Sequence, residues 1–306
     1  MSDLSGRVVT KRGRIVKDQG QTGIGAPAVA PGSVGAQVDG AAARSQKGRP
    51  IARTVLMGAA LPAILILAWW FLSAGSTNPF FPSLATIVAS FEPTWATGRL
   101  ASDLVPSVIR LVLGYLLALV VGIALGMAIG SSRRLRLLAE PPLEFFRAIP
   151  APVMVPVLML FFGIFDTMKI VVIATGCLWP ILLNTVEGVR GVDSLLLDTA
   201  KVYRLRPSTR LFGVLLRGAS PQIAAGARQA LSIGIILMVI SEMFAANNGL
   251  GFSIVQFQRS FAIPEMWTGI IVLGLLGVAL SLVFRFVEHR VLAWYNGLRR
   301  ATRGGN

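Results

Sequence analysis

Long runs without a charged residue cover residues 54–91, 111–132, 148–165, 170–186 and 266–284. Each approaches or exceeds the ~20 residues with which an α-helix crosses the hydrocarbon of a bilayer. A further span is predicted over residues 220–246, where Arg228 and Glu242 shorten the charge-free centre and must lie near the helix ends, within reach of polar surroundings. The pattern predicts an all-α integral membrane protein with six transmembrane helices. Between the fourth and fifth lies a segment of different character. Val192, Leu195, Leu196, Ala200 and Tyr203 recur at helical spacing and leave Asp193, Asp198, Lys201 and Arg204 towards the other side. Pro207 then predicts a break, Ser208 a cap for a second short helix, and Leu211, Phe212, Leu215 and Leu216 its apolar side. Such stripes need a partner or a membrane surface to cover them.

Residues 1–50 are rich in Gly, Ala, Ser and Val, carry scattered basic side chains and show no sustained period, which predicts a disordered basic cytoplasmic tail ahead of a membrane domain over residues 51–306. The first apolar run starts at Ile51 and is long enough to span, unlike a secretory signal. Residues 73–103, with NPFFPS and FEPTWATG, predict turns and a short helix on the outer surface. Of the 29 Lys and Arg, only Arg99, Lys169 and Arg259 fall in segments that this topology places outside, and Arg110, Arg147 and Arg228 fall within spans. Basic loops resist translocation, so both termini are expected in the cytoplasm. The net charge of +15 therefore reflects topology and attraction to anionic membrane lipids, with no nucleic-acid partner implied.

Composition excludes much chemistry. Cys177 is the only cysteine and His289 the only histidine, so neither an intramolecular disulfide nor a metal site is expected. None of Lys11, Lys17, Lys47, Lys169 and Lys201 is followed by Ser or Thr, so the phosphate-cradling loop of an ATPase is missing and no cofactor is expected on this chain. No catalytic constellation stands out. Gly122, Gly126 and Gly130, at four-residue spacing, mark a helix-packing seam. In PPLEFFRAIPAPVMVP, Pro150, Pro152 and Pro156 predict an irregular third span near its inner half, which either lines a pathway or is a structural kink. Glu144 and Arg147, three apart, either pair with one another or face that pathway, and Arg228 is a further candidate. Glu242, just before Asn247-Asn248-Gly249, is either a gate-side contact or a carboxylate paired across the bundle.

Asp198-Thr199-Ala200, with Pro221, Gly226 and Arg228 further on, resembles the EAA loop of permease subunits of ATP-binding-cassette importers. PSVIRLVLGYLLALVVGIALGMAIG from Pro106, PPLEFFRAIPAPVMVPVLMLFFGI from Pro141 and ISEMFAANNGLGFSI from Ile240 resemble the nitrate, sulfonate and taurine branch of that inner-membrane component family, with a family-like core over about residues 104–290. The resemblance implies a multi-pass permease of a bacterial-type inner membrane. Its implied partners are a second copy of the chain, an external substrate-binding protein, and a cytoplasmic ATPase that binds the ATP. The implied docking residues are Leu195, Leu196, Asp198, Thr199, Ala200, Tyr203, Arg204, Leu211, Phe212 and Leu215. A small anion is the implied solute. The chain departs from the family at Asp198 for Glu, Thr199 for Ala, Arg204 for Gly and Arg217 for Pro. Because a bulky residue enters the φ > 0 region only at a cost of roughly 1 kcal/mol or more, the turn at Arg204 is expected to be built differently, with Pro207 taking over the glycine's role. A gradient-driven secondary transporter and a non-transporting scaffold remain as other readings; neither internal duplication nor an embedded coupling carboxylate is evident for the first.

Overall fold

The computed structural model describes residues 51–295 and residue 297, and the predicted tail over residues 1–50 lies outside them. Among the described residues every element is helical. α1 (Ile51–Ser73) leads through turns to α2 (Leu84–Trp95), whose N-cap Ser83 accepts from the Thr86 amide. The run over residues 54–91 therefore divides into a long helix and the beginning of a second, shorter one, which buries Ile87 and Trp95. A wide turn at Leu100–Leu104 feeds α3 (Val105–Ser131), with Pro106 in its first turn, where the missing amide costs nothing.

The bundle is organised by close approaches of glycine. Gly114, Gly122, Gly126 and Gly130 of α3 face Ile173, Ile181, Thr185 and Val189 of α6 (Asp166–Arg190). A Cβ on Gly126 would lie 2.5 Å from Thr185 Cβ, so the predicted stripe is a tight helix–helix seam. The matched order along both helices makes α3 and α6 parallel. α8 (Arg217–Ala245) runs antiparallel to α6, with Gly188 against Ala219, Gly226 against Pro180 and Gly234 against Cys177. Leu111, Ile173, Cys177, Ile181, Leu237 and Met238 fill the core between these three helices. α9 (Leu250–Arg259) and α2 join α10 (Ile263–Val291) through Trp95, which donates to Thr268 Oγ1 at 2.9 Å. α10 runs antiparallel to α8, with Ile235 near Gly277 and Arg228 paired with Glu288.

Since α3 and α6 are parallel neighbours, residues 132–165 must carry the chain back from one end of the bundle to the other. They do so as α4 (Arg133–Ala148) and α5 (Met154–Phe162), bent by 76° at the break. Ile149 and Pro150 are extended there, Ile149 as a residue before a proline prefers, and Pro150 and Pro152 donate no helical hydrogen bond. The single irregular span expected over residues 148–165 is thus a short helix that depends on α4 for its other half. Among the described residues four helices are long and apolar enough to cross a membrane unaided, Leu100–Ser131, Asp166–Arg190, Thr209–Phe244 and Ile263–Val291, and the bent pair brings the total to five if counted as one span. The described apolar part of α1, Ala60–Ser73, is shorter than a crossing. α10 is scarcely buried, with Leu275, Val278, Leu282 and Phe286 all exposed, a surface suited to lipid rather than water.

Candidate functional site

The end of the bundle where α3, α6 and α10 finish and α8 begins carries α7 (Ser194–Val202). Asp193 caps it by accepting from the Leu195 amide at 2.9 Å. Val192 and Leu197 pack inward with Leu211 and Leu216 over Met127, Val189, Leu215, Ala219 and Ile223, and Ala200 is buried beside them. Leu195, Leu196, Val202, Tyr203 and Phe212 stay exposed, Tyr203 at 75%. The single stripe expected from spacing is therefore split. Val192 and Leu197 root the loop and Ala200 is buried as well, whereas Leu195, Leu196 and Tyr203 stay outward. Asp198 pairs with Lys201 on its own helix at 2.8 Å, and the Thr199 hydroxyl donates to the Leu195 carbonyl.

The turn after α7 corrects another expectation. Arg204 has φ 47°, its amide donates to Lys201 O, and the Leu205 amide reaches back to Ala200 O at 3.0 Å. These paired bonds are a Schellman ending with Arg204 at the left-handed position. Arginine keeps the conformation that glycine would supply, and Pro207 takes over nothing. Pro207 instead opens the next helix, where the Arg206 carbonyl accepts from the Arg210 amide. Ser208 is already helical and makes no cap bond; residues Thr209–Leu216 form wide turns that continue straight into α8, so no separate second helix exists. Arg217 sits within this continuous stretch.

At the break between α4 and α5 a cavity of about 450 Å³ is lined by Arg147, Pro150, Pro152, Trp179, Pro180 and Leu237 among others. Phe146 stacks on Trp179 beside it. Glu144 pairs with Arg147 at 2.7 Å, both side chains about half exposed. Pro156 lies within α5, outside the lining, and Arg228 is held by Glu288 of α10. Of the candidate arginines only Arg147 borders this space.

The far end is closed by a buried polar knot. Glu242 has 0% exposure, and its carboxylate accepts from Arg110 Nη1 at 2.8 Å, from Ser107 Oγ at 2.7 and 2.9 Å, and from the Gly251 amide at 3.0 Å. Arg110 also binds Asp166 at 2.7 Å and the Asn248 carbonyl at 3.0 Å. Asp103 accepts from the Gly249 amide and from Ser253 Oγ. Gly249 is required here twice over. Its φ is 121°, and a Cβ would lie 2.5 Å from the Glu242 carboxyl carbon. Glu242 is therefore a paired carboxylate across the bundle. Asp103 and Ser107 escaped the sequence reading and Asn248 entered it only as part of the turn after Glu242, although Asp103, Ser107, Arg110 and Gly114 recur at helical spacing on one face of the helix entrance.

Residues 118–293 match the family described as binding-protein-dependent transport system inner membrane component. The chain is 30% identical over 243 residues to the putative aliphatic sulfonates transport permease SsuC of Bacillus subtilis, covering 79% of this chain and 88% of that protein. It is 28% identical to the taurine transport system permease TauC of Escherichia coli, covering 80% and 92%. Its fold resembles a chain of the MetNI methionine ABC transporter with a TM-score of 0.54, at 19% identity, over 62% of this chain and 94% of that one. The chain belongs to the binding-protein-dependent transport inner-membrane component family, the non-catalytic permease subunits of ATP-binding-cassette transporters, within the branch of sulfonate, taurine and nitrate permeases.

Proposed function

We propose that this chain is the membrane-spanning half of an ATP-driven importer, crossing the inner membrane six times with both termini in the cytoplasm, and that it works as a homodimer with two cytoplasmic ATPases and an external substrate-binding protein. α1, the bent pair, and the four long helices would supply the six crossings, with the α7 end facing the cytoplasm. The observation that carries the reading is the outward apolar face of α7. Leu195 and Leu196 on α7 and Tyr203 at its end are exposed, whereas Leu197 on the other side of the helix packs into the bundle, so a body docked there moves the bundle with it. A carrier driven by an ion gradient would call for a carboxylate open to the pathway, whereas Glu242 is fully buried and paired. The solute is a small anion such as nitrate, a sulfonate or taurine, passing along the cavity at the broken span, where Arg147 offers a cation at the margin.

The test is reconstitution of the chain with its ATPase. Leu196→Asp or Tyr203→Asp places a charge on the docking face and is expected to abolish ATPase association and ATP-dependent uptake while membrane insertion is unchanged. Pull-down and uptake that both survive these changes would remove α7 as the coupling element.

A further inference from the structure

A second apolar space lies beside the coupling surface. On the α7 end of α3, Val120, Ala124, Ala128 and Ser131 face Leu211 and Phe212 of the wide-turn segment across a groove of about 550 Å³. Along α3 the lining runs from Leu119 to Ser131. At ~1.5 Å per residue that is roughly 18 Å, close to the ~15 Å of one leaflet's hydrocarbon and well short of the ~30 Å that a transmembrane helix from a second copy would lie along. The groove is sized for an acyl chain.

Its mouth is basic. Arg133, Arg134 and Arg136 follow Ser131 within two turns, and Arg210 immediately precedes Leu211. None of these four arginines belongs to an ion pair among the described residues, whereas Arg147, Arg190, Arg228 and Lys201 each have an acidic partner. Arg210 Nε is buried and without an acceptor, the one side-chain atom in that condition among the described residues. A buried guanidinium N–H without an acceptor is costly, and a phosphate oxygen matches the donor geometry of Arg better than any neutral group does.

We propose that this groove is a site for one anionic phospholipid of the leaflet on the α7 side, an acyl chain lying between α3 and Leu211–Phe212 and the phosphate held by Arg210 with the arginines after Ser131. The inference rests on the permease reading for its assignment of that side to the cytoplasm. Because one wall is the root of α8, an occupied groove fixes the segment that joins the coupling loop to the bundle, and the lipid becomes part of the coupling structure.

Native mass spectrometry of the full chain, titrated with phosphatidylglycerol or with phosphatidylcholine of the same acyl length, tests this directly. The wild type is expected to retain phosphatidylglycerol roughly tenfold or more tightly. Arg210→Gln, a change at the groove margin that leaves the packing in place, should bring it down to the phosphatidylcholine level, and Ala128→Trp should weaken both lipids by filling the groove. A photo-crosslinker at position 124 should yield a lipid adduct. Equal retention of the two lipids by the wild type, undiminished retention in Arg210→Gln, or a crosslink from position 124 to a second copy would each overturn the proposal. Failure of the permease reading shows elsewhere, as ATPase pull-down that survives Leu196→Asp.

Discussion

Replacing Glu242 by Gln tests the buried knot with the smallest possible change of shape. Each carboxylate oxygen accepts from more than one donor: Oε1 from Arg110 and Ser107, Oε2 from Gly251 and Ser107. A glutamine has one acceptor oxygen, so either orientation of its amide points an NH2 at a donor, the Gly251 amide in one case and the Arg110 guanidinium in the other. Ser107 can turn its proton to Asp103 O, and Arg110 keeps Asp166 and Asn248, which limits the damage. One buried donor facing another costs about 1–3 kcal/mol, and breaking a buried pair from one side about 3–5 kcal/mol. With Arg110 retaining partners, we expect a loss of about 3 kcal/mol for Glu242→Gln and more for Glu242→Ala. Reversible unfolding in mixed micelles, followed by tryptophan fluorescence, reads this out, since Trp95 lies in the adjoining core. Glu144→Gln supplies the control: its pair with Arg147 is half exposed, and its loss should cost about 0–1 kcal/mol. A Glu242→Gln protein within about 0.5 kcal/mol of wild type would refute the claim that the pairing holds this end together.

Gly126→Val drives a side chain into Thr185, 2.5 Å from the new Cβ, and should destabilise by at least the ~1–3 kcal/mol typical of overpacking, measured by the same unfolding; an unchanged midpoint would mean that the seam is loose. Arg204→Gly removes the strain of φ 47° and should raise stability by up to about 1 kcal/mol with ATPase binding retained, whereas a loss of stability would mean that the guanidinium makes a contact worth more than the backbone relief. Single cysteines on a Cys177→Ser background should label asymmetrically with impermeant reagent applied outside whole cells: Gln258→Cys reactive, Ser208→Cys protected. The opposite pattern would invert the topology.

The apolar helices were legible because length and lack of charge decide membrane crossing without reference to the rest of the fold, and Thr209–Phe244, Asp166–Arg190 and Ile263–Val291 overlap the predicted runs accordingly. The break between α4 and α5 was readable from Pro150 and Pro152, but the helix formed by α4 was not. Arg133, Glu140 and Glu144 make that helix look like a loop until the parallel packing of α3 and α6 forces a return path. In the segment between α6 and α8, spacing located α7 but could not tell its buried residues from its exposed ones, because Leu196 and Leu197 are equally hydrophobic to a periodicity argument and only tertiary packing distinguishes them. Arg204 shows the same limit at the backbone: propensity argued against φ > 0 there, and the paired hydrogen bonds of the turn outweighed it. The knot at Glu242 was half visible. The carboxylate drew notice for its depth, but Ser107 and Asn248 are ordinary residues until the fold brings them to it.

The continuity of α8 has a mechanical consequence. Its 29 residues extend about 44 Å at 1.5 Å per residue, from beside the exposed face of α7 to the carboxylate of Glu242. A rod of that length, tilted by about 5° at one end, displaces the other by roughly 4 Å, more than any hydrogen bond in the Glu242 cluster can stretch and survive. The two extremities of the protein are thus levered against each other. A push at α7 that tilts α8 about any point other than its tip must either carry Arg110, Asp166 and the Gly249 turn along with the helix or pull the cluster apart, so the cluster is the one pivot about which the loop end can swing by that amount with its hydrogen bonds intact.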